Sequence, residues 1–502
     1  MKRLIRKKWF RRSTQAVVIG ASLLGLANAA ANRRAAGAKR DALDALKSGG
    51  NLIEAAKFKV EMPPDEENFA MIPLLVKLRE ENGLNSMTFS GVYDSPEAKD
   101  LAGTKIASLG ADTKGVPVRR SHQGEPLPPN LFAERLGLKG SASEMLEQFD
   151  QRHAEVLNAL REGKGRRWTV MPPRIDLSNP GKAYTTGCSD LIKLSYASLG
   201  IAMRAELALD AGRGDIALES LLINRRLSDL VMSEGLGIGQ FVAWGMEKQS
   251  MPPLLRGISS GAWDAASLER LREAWGGRNN KEVLERMLNL EGVVMAIYCE
   301  HWKMDRSLGA RIMGEDGDFL SRMQQSAVPD FWFDANTAQI LLTTEKSLEL
   351  VRKDGPLQSW WDELGAQGGS GYPGPSWIRE METPFSTPKG IVEKICDVDS
   401  PSIGALVGSA LKRGSRAMVD ESLARLACLL GEYKIAHGSY PPSLDAIGGS
   451  DIIDPLSGKA FIYRVNDGKF QLYSVGPNGI DDGASRKPKS FFGTPEQSDW
   501  VW

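Results

Sequence analysis

Through most of the middle of the chain apolar residues recur at helical spacing, and they alternate only near its end. From Ser141 to Leu160, the positions Met145, Leu146, Phe149, Val156, Leu157 and Leu160 form one face of a surface helix. Leu191–Leu209 and Asp215–Val231 predict a helical hairpin parted by an Ala-Gly-Arg-Gly turn, with Asp215 placed to cap the second helix. Further helices are predicted over Gln240–Lys248, Asp264–Trp275, Asn280–Trp302, Asn336–Arg352 and Ile403–Leu430.

The last helix continues as a stripe of Leu423, Leu426, Ala427, Leu430 and Tyr433, while Arg425, Glu432 and Lys434 fall largely elsewhere. Gly438 stands where a left-handed cap belongs, and Pro441 and Pro442 bar continuation. Phe461–Val465 and Lys469–Val475 then read as two strands joined by a turn at Asn466, Asp467 and Gly468. Tyr463 and Tyr473 are the expected aromatic partners of the helix stripe.

These patterns predict a mainly α chain, built as an irregular helical bundle or solenoid-like array with a small C-terminal α+β module of helix plus β-hairpin. Leu199-Gly200 and Ala217 invite a tetratricopeptide reading, but no second copy follows in register. Residues 86–129 are rich in Gly, Pro and Ser and read as irregular cover, and the run QGGSGYPGPSW marks the best internal boundary. The expected divisions are 1–32, a signal peptide or single membrane anchor; 33–140, a juxtamembrane helix and irregular docking segment; 141–365, a helical domain; 366–390, a linker; and 391–502, a helix leading into the α+β module.

At the start, Lys2, Arg3, Arg6, Lys7, Lys8, Arg11 and Arg12 precede an uncharged apolar run from Ala16 to Ala31. That order is the n-region and h-region of an export signal, with Ala27-Asn28-Ala29 as a cleavage site. Drawn back to Ser13, residues 13–31 also suffice for an uncleaved membrane anchor, and the basic flank would hold its N-terminal end in the cytoplasm. Ala35–Lys47 reads as a helix. Pro63 and Pro64 then interrupt the chain, and an acidic collar precedes the apolar segment Phe69–Leu78, a tether expected to dock on the body.

Composition narrows the classes of partner. With 63 basic against 63 acidic residues there is no global field to recruit nucleic acid, and the basic excess is local to the membrane end. Cys188, Cys299, Cys396 and Cys428 show no CxxC spacing; an oxidising periplasm would permit disulfides in any of three pairings. His122, His153, His301 and His437 form no HExxH or HxH pair, and no GxSxG elbow or Walker loop is present. Cys299, Glu300 and His301 are adjacent, but helix neighbours one and two apart point to different faces, so a structural role is expected. Trp360, Trp361, Tyr372 and Trp377 gather near the Gly/Pro linker as either a docking patch or the apolar seal between two domains.

The segments HGSYPPSL, DPLSGKAFIY and YSVGPNGIDDG, in that order after a helix, resemble the globular half of the major pseudopilin of bacterial type II secretion. The resemblance covers about the last seventy residues. It implies a calcium ion near Asp481 and Asp482, against which stands the plain reading of a solvated turn. In a pilin this helix continues the N-terminal membrane helix; here a long body intervenes. The order of basic anchor, PPDEENFA-like segment, helical middle and YPPSL/YSVGPNGIDDG end also resembles a family of uncharacterised exported bacterial proteins, and it implies no activity.

The function expected is that of a non-enzymatic envelope-associated scaffold, anchored in the inner membrane with its body in the periplasm or released there after signal cleavage, whose partners are envelope or secretion proteins. The rival is an exported hydrolase or glycan-acting enzyme with a carboxylate pair assembled only in three dimensions. Two carboxylates of raised pKa in a deep cleft would favour the enzyme, and a shallow helical face the scaffold.

Overall fold

The computed structural model describes residues 2–49, 61–80, 137–172, 189–305, 330–360, 403–477, 479–481, 483–484 and 499–501. The chain is mainly helical, with a small three-stranded antiparallel sheet near its C-terminus. In order the helices are α1 (Lys2–Ser48), α2 (Pro73–Glu80), α3 (Ala142–Arg152), α4 (Ala154–Glu162), α5 (Ser189–Asp210) and α6 (Gly214–Met232). They continue as α7 (Gly237–Ser260), α8 (Ala265–Ala274), α9 (Asn280–Met304), α10 (Asp330–Arg352) and α11 (Ile403–His437). The strands are β1 (Ile462–Asn466), β2 (Lys469–Ser474) and β3 (Trp500–Val501).

Several boundaries depart from the periodicity for local reasons. The helix expected over Ser141–Leu160 is two. It opens with a capping box between Ser141 and Glu144 and breaks at His153, whose ring lies buried 4.6 Å from that of Phe149. Asp215 does not cap α6; it sits in the first turn and accepts from Arg213 at 3.0 and 2.8 Å. α7 runs past Pro252 and Pro253 to Ser260, because its far end carries Leu254 and Ile258 into the core and packing outweighs the missing donors.

The body assembles around two groups of helices. α5, α6 and α7 pack on one another, and α3 joins them through α5. There the fully buried Arg204 grips both oxygens of Asp150 at 2.6 and 2.9 Å and bonds Ser220 at 2.7 Å. The second group is α1, α9 and α10. α9 and α10 approach closely at Gly292, where an added Cβ would collide with Thr344. α11 packs against α7, α8 and α9 and also reaches α10 and β2, so it ties both groups to the sheet.

The two N-terminal segments read separately from sequence, the apolar run and Ala35–Lys47, are one continuous helix. At 1.5 Å per residue α1 is about 70 Å long. Ala35, Ala42 and Leu46 are buried on one stripe, which packs along α10. In segment 61–80 Phe69, Ala70, Ile72, Leu75 and Leu78 lie in the core. Asn68, fully buried, holds it: its amide exchanges bonds with the backbone of Val170 at 2.8 and 3.0 Å. Residues 86–129 and 366–390 lie outside those described.

In the C-terminal module β1 and β2 pair from Ile462↔Tyr473 to Asn466↔Lys469, and β3 adds to β2 through Ser474↔Trp500. Asp467 and Gly468 both take positive φ, 51° and 71°, the geometry a two-residue hairpin turn requires. The register corrects one expectation. Tyr463 lies opposite Leu472, and Ile462 opposite Tyr473, so the two tyrosines occupy opposite faces of the sheet. Tyr463 packs on the main core with Leu472 and Phe470, whereas Tyr473 faces Arg464, whose guanidinium lies 5.7 Å from its ring.

Candidate functional site

The chemistry missed by the periodicity lies where α6, α7 and α11 converge. On α6 the buried stripe of Leu221, Arg225 and Ser228 places a cation on the face turned to the core. On α7 Trp244, Glu247, Lys248 and Met251 share one side at helical spacing, and on α11 Arg413, Arg416, Ala417, Asp420 and Glu421 do likewise. Trp275, just past α8, closes the floor. Together they line a cleft of about 120 Å³ whose mouth is at the exposed Gly245, Lys248 and Arg413.

Arg225 organises the floor. Its guanidinium bonds Glu247 Oε1 at 2.9 Å and Glu421 Oε1 at 3.2 Å and lies 5.5 Å from the Trp275 ring. Glu247 Oε1 also accepts from Ser228 at 3.1 Å and from Arg278, which reaches Asp229 with its other nitrogen. Glu421 Oε2 accepts from Asn280. Burial pushes the Glu247 carboxyl up to about 7, with Arg225 opposing the rise, and raises Glu421 as well. Arg278 is lowered, first by burial and then by the neighbouring Arg225.

Three donors on this floor lack an acceptor: the indole N–H groups of Trp244 and Trp275 and Nε of Arg225. The last lies 3.6 Å from Asp229, beyond hydrogen-bond reach. At the rim Arg416 pairs with Asp420 at 2.8 Å and lies 4.7 Å from the ring of Trp500, which links the cleft to the terminal strand.

The residues singled out from sequence are dispersed elsewhere. Asp481 lies beside the sheet, its Oδ1 accepting from the Tyr473 hydroxyl at 2.7 Å and the Gly483 N–H at 2.9 Å, and its Oδ2 from Arg464 at 2.7 Å. The bond from Tyr473 is the main cause holding its carboxyl below the usual range. Asp482 is outside the described residues, among which no three acidic, Cys or His side chains gather as a metal site. Trp360 is buried and donates to Leu350 O at 3.1 Å; its segment bonds the module through Leu357 and Gln358 to Pro455 and Leu456 at 2.8 and 2.9 Å. Trp361, Tyr372 and Trp377 lie outside the described residues, as do Cys188 and Cys396. Cys299 and Cys428 are buried free thiols, and burial pushes Cys299 up to about 12, far from a thiolate nucleophile.

Among the described residues no helix is long and apolar enough to cross a membrane. No protein-family model, curated protein or solved structure gives a significant match to the chain.

Proposed function

We propose that the chain is a non-enzymatic, envelope-associated scaffold: an irregular helical bundle held at the inner membrane through residues 13–31, presenting its C-terminal module to envelope or secretion proteins on the periplasmic side. The observation that carries this reading is the course of α1. It continues without a break from the basic N-terminus into a stripe docked on α10, and the described residues of its apolar run, Ser22, Gly25, Leu26, Asn28, Ala29 and Ala30, are exposed. A helix that is docked on the core at one end and continues exposed at the other supports retention of the N-terminal segment with the body rather than its removal as a signal. The bundle reading rests on α11, which contacts α7, α8, α9 and α10 rather than only its chain neighbours, as a solenoid unit would.

The link to secretion or surface assembly rests on the pseudopilin resemblance of the module. Its β1 edge, paired only with β2 among the described residues and exposed at Arg464, Val465 and Asn466, offers a partner an open strand. Photo-crosslinkers at Val465 and at the exposed Glu269 of α8, in full-length chain within intact envelopes, test this. A defined envelope protein captured from Val465 alone supports the scaffold; the same background from both positions contradicts it.

One observation favours the rival hydrolase. Glu247 lines a cleft, has Oε2 free of hydrogen bonds among the described residues, and titrates near neutrality. Against it, Glu247 and Glu421 are both tied to Arg225, and the cleft is small beside the roughly 300 Å³ and more of ordinary substrate pockets. Hydrolysis of an envelope glycan by the full chain, lost in Glu247→Gln, would favour the enzyme.

A further inference from the structure

We propose that the tip of the helical body where α9 ends and α10 begins sits in the headgroup layer of the bilayer, beside the exit of the anchor. The inference rests on the reading of residues 13–31 as a retained anchor and adds to it a second contact with lipid.

Helix directions put that tip at the membrane end. α9 and α10 are antiparallel: Glu300 accepts from Thr337 near one end of the pair and Glu285 from Arg352 near the other, with the same number of residues between the two contacts on each helix. α1 runs parallel to α10, since Lys39 reaches Asp334 while Gly49 O accepts from Arg352. The end of α9 and the start of α10 therefore face the same way as the N-terminal run of α1.

Burial along α1 fixes the level. Asn28, Ala29 and Ala30 are exposed, Ala31 and Asn32 are half-buried, and Ala35 is buried. Cover by the body thus begins at Ala31, the last residue of the uncharged run. If that residue marks the edge of the hydrocarbon, side chains level with it lie in the interfacial layer, roughly 5–8 Å deep on each side of a ~30 Å core.

The side chains at the tip suit that layer. Met304 is 73% exposed, and Phe331 and Trp332 are half-buried. Behind them Trp302 and Phe333 are buried, and Trp332 meets both edge-on, at 5.7 and 5.0 Å between ring centres, so the outer indole is held in place. Such rings gather at membrane interfaces because the apolar body meets acyl chains while the N–H meets headgroups and water. Charge plays no selecting part. Lys39 and Lys303 are answered by Glu300 and Asp334, and the exposed Arg33 and Arg34 are matched in number by the exposed Asp305 and Asp330. The contact therefore rests on the rings and Met304, and a zwitterionic surface suffices.

A second contact also sets the orientation of the body. Just past the far end of α10, Leu357 and Gln358 bond Pro455 and Leu456 of the module. The module then stands about one length of α10, roughly 35 Å, from the bilayer surface.

The test places a photo-crosslinking residue singly at Leu26, Met304 or Lys353 in the full-length chain, reconstituted in phosphatidylcholine vesicles, and reads lipid adducts by mass after irradiation. Leu26 is 68% exposed within the anchor, and Lys353 is exposed at the far end of α10. Adducts of one lipid mass from Leu26 and Met304, with none from Lys353, are expected. Adducts from Leu26 alone would overturn the proposal and leave the anchor standing, with the body held clear of lipid. Their absence from both Leu26 and Met304 would remove the anchor and the proposal with it. Adducts from all three positions would overturn it too, since a chain lying along the surface has no membrane-facing tip.

Discussion

Lys39 Nζ, on α1, lies 2.5 Å from Glu300 Oε1, on α9, across 261 positions of sequence. Glu300 also accepts from Thr337, and Lys39 reaches Asp334, itself held by Lys303 at 2.8 Å. The N-terminal helix is thereby fastened by charge as well as by Ala35, Ala42 and Leu46 to the face made by α9 and α10. Lys39→Ala is expected to lower stability by about 1 kcal/mol, since the pair is partly solvated. Lys39→Glu, which sets a third carboxylate against two, should cost more. Chemical denaturation of the full chain measures both, and a Lys39→Glu variant as stable as the parent contradicts the docked arrangement.

That face depends on the close crossing of α9 and α10. Elsewhere in a helix, Gly→Ala is stabilising by roughly 0.5–1 kcal/mol. At Gly292 the added methyl would collide with the buried Thr344, so Gly292→Ala is expected to destabilise by about 1–3 kcal/mol. A rise in melting temperature would mean that the two helices have room to part.

The buried node predicts a pH dependence of definite sign. Glu247 titrates near 7 in the fold, above the ordinary glutamate value near 4.5. The folded state therefore binds the proton more tightly than the unfolded chain. The stability this contributes is complete below about pH 4.5 and is lost as pH rises through 7, up to roughly 3 kcal/mol in all. Glu421 and Glu291, also raised by burial, tilt the curve the same way. Glu247→Gln should flatten the slope between pH 4.5 and 7 in denaturation curves; an unchanged slope would show that Glu247 is ionised throughout.

Both oxygens of Asp481 are already engaged by Tyr473, Gly483 and Arg464. Millimolar calcium is accordingly expected to leave the melting temperature unchanged, while Asp481→Ala lowers it whether or not calcium is present. A calcium-dependent rise abolished by Asp481→Ala would show instead that the ion displaces Arg464, as the pseudopilin resemblance implies.

Much of the fold was legible because its signals are local. Period-3.6 stripes placed the helices from Ser141 to Leu430, and the Asp467-Gly468 turn placed the hairpin. The face of Tyr473 was not legible, since it depends on a pairing register that shifts every side chain by one. Nor was the length of α7, because burial of Leu254 and Ile258 overrides two prolines. The cleft left a faint trace: Arg225 and Glu421 are charges within the buried faces of their helices. Their meeting with Glu247 and Arg278 joins residues far apart in sequence, which no spacing rule reports.

The central claim is that α1 is retained as an anchor. The full-length chain is expressed in a bacterial host, its membranes are washed with alkaline carbonate, and the mass of the N-terminal peptide is read from each fraction. The account predicts chain in the washed membranes with residues before Ala29 still attached. Soluble periplasmic chain beginning just after Ala29 would contradict it.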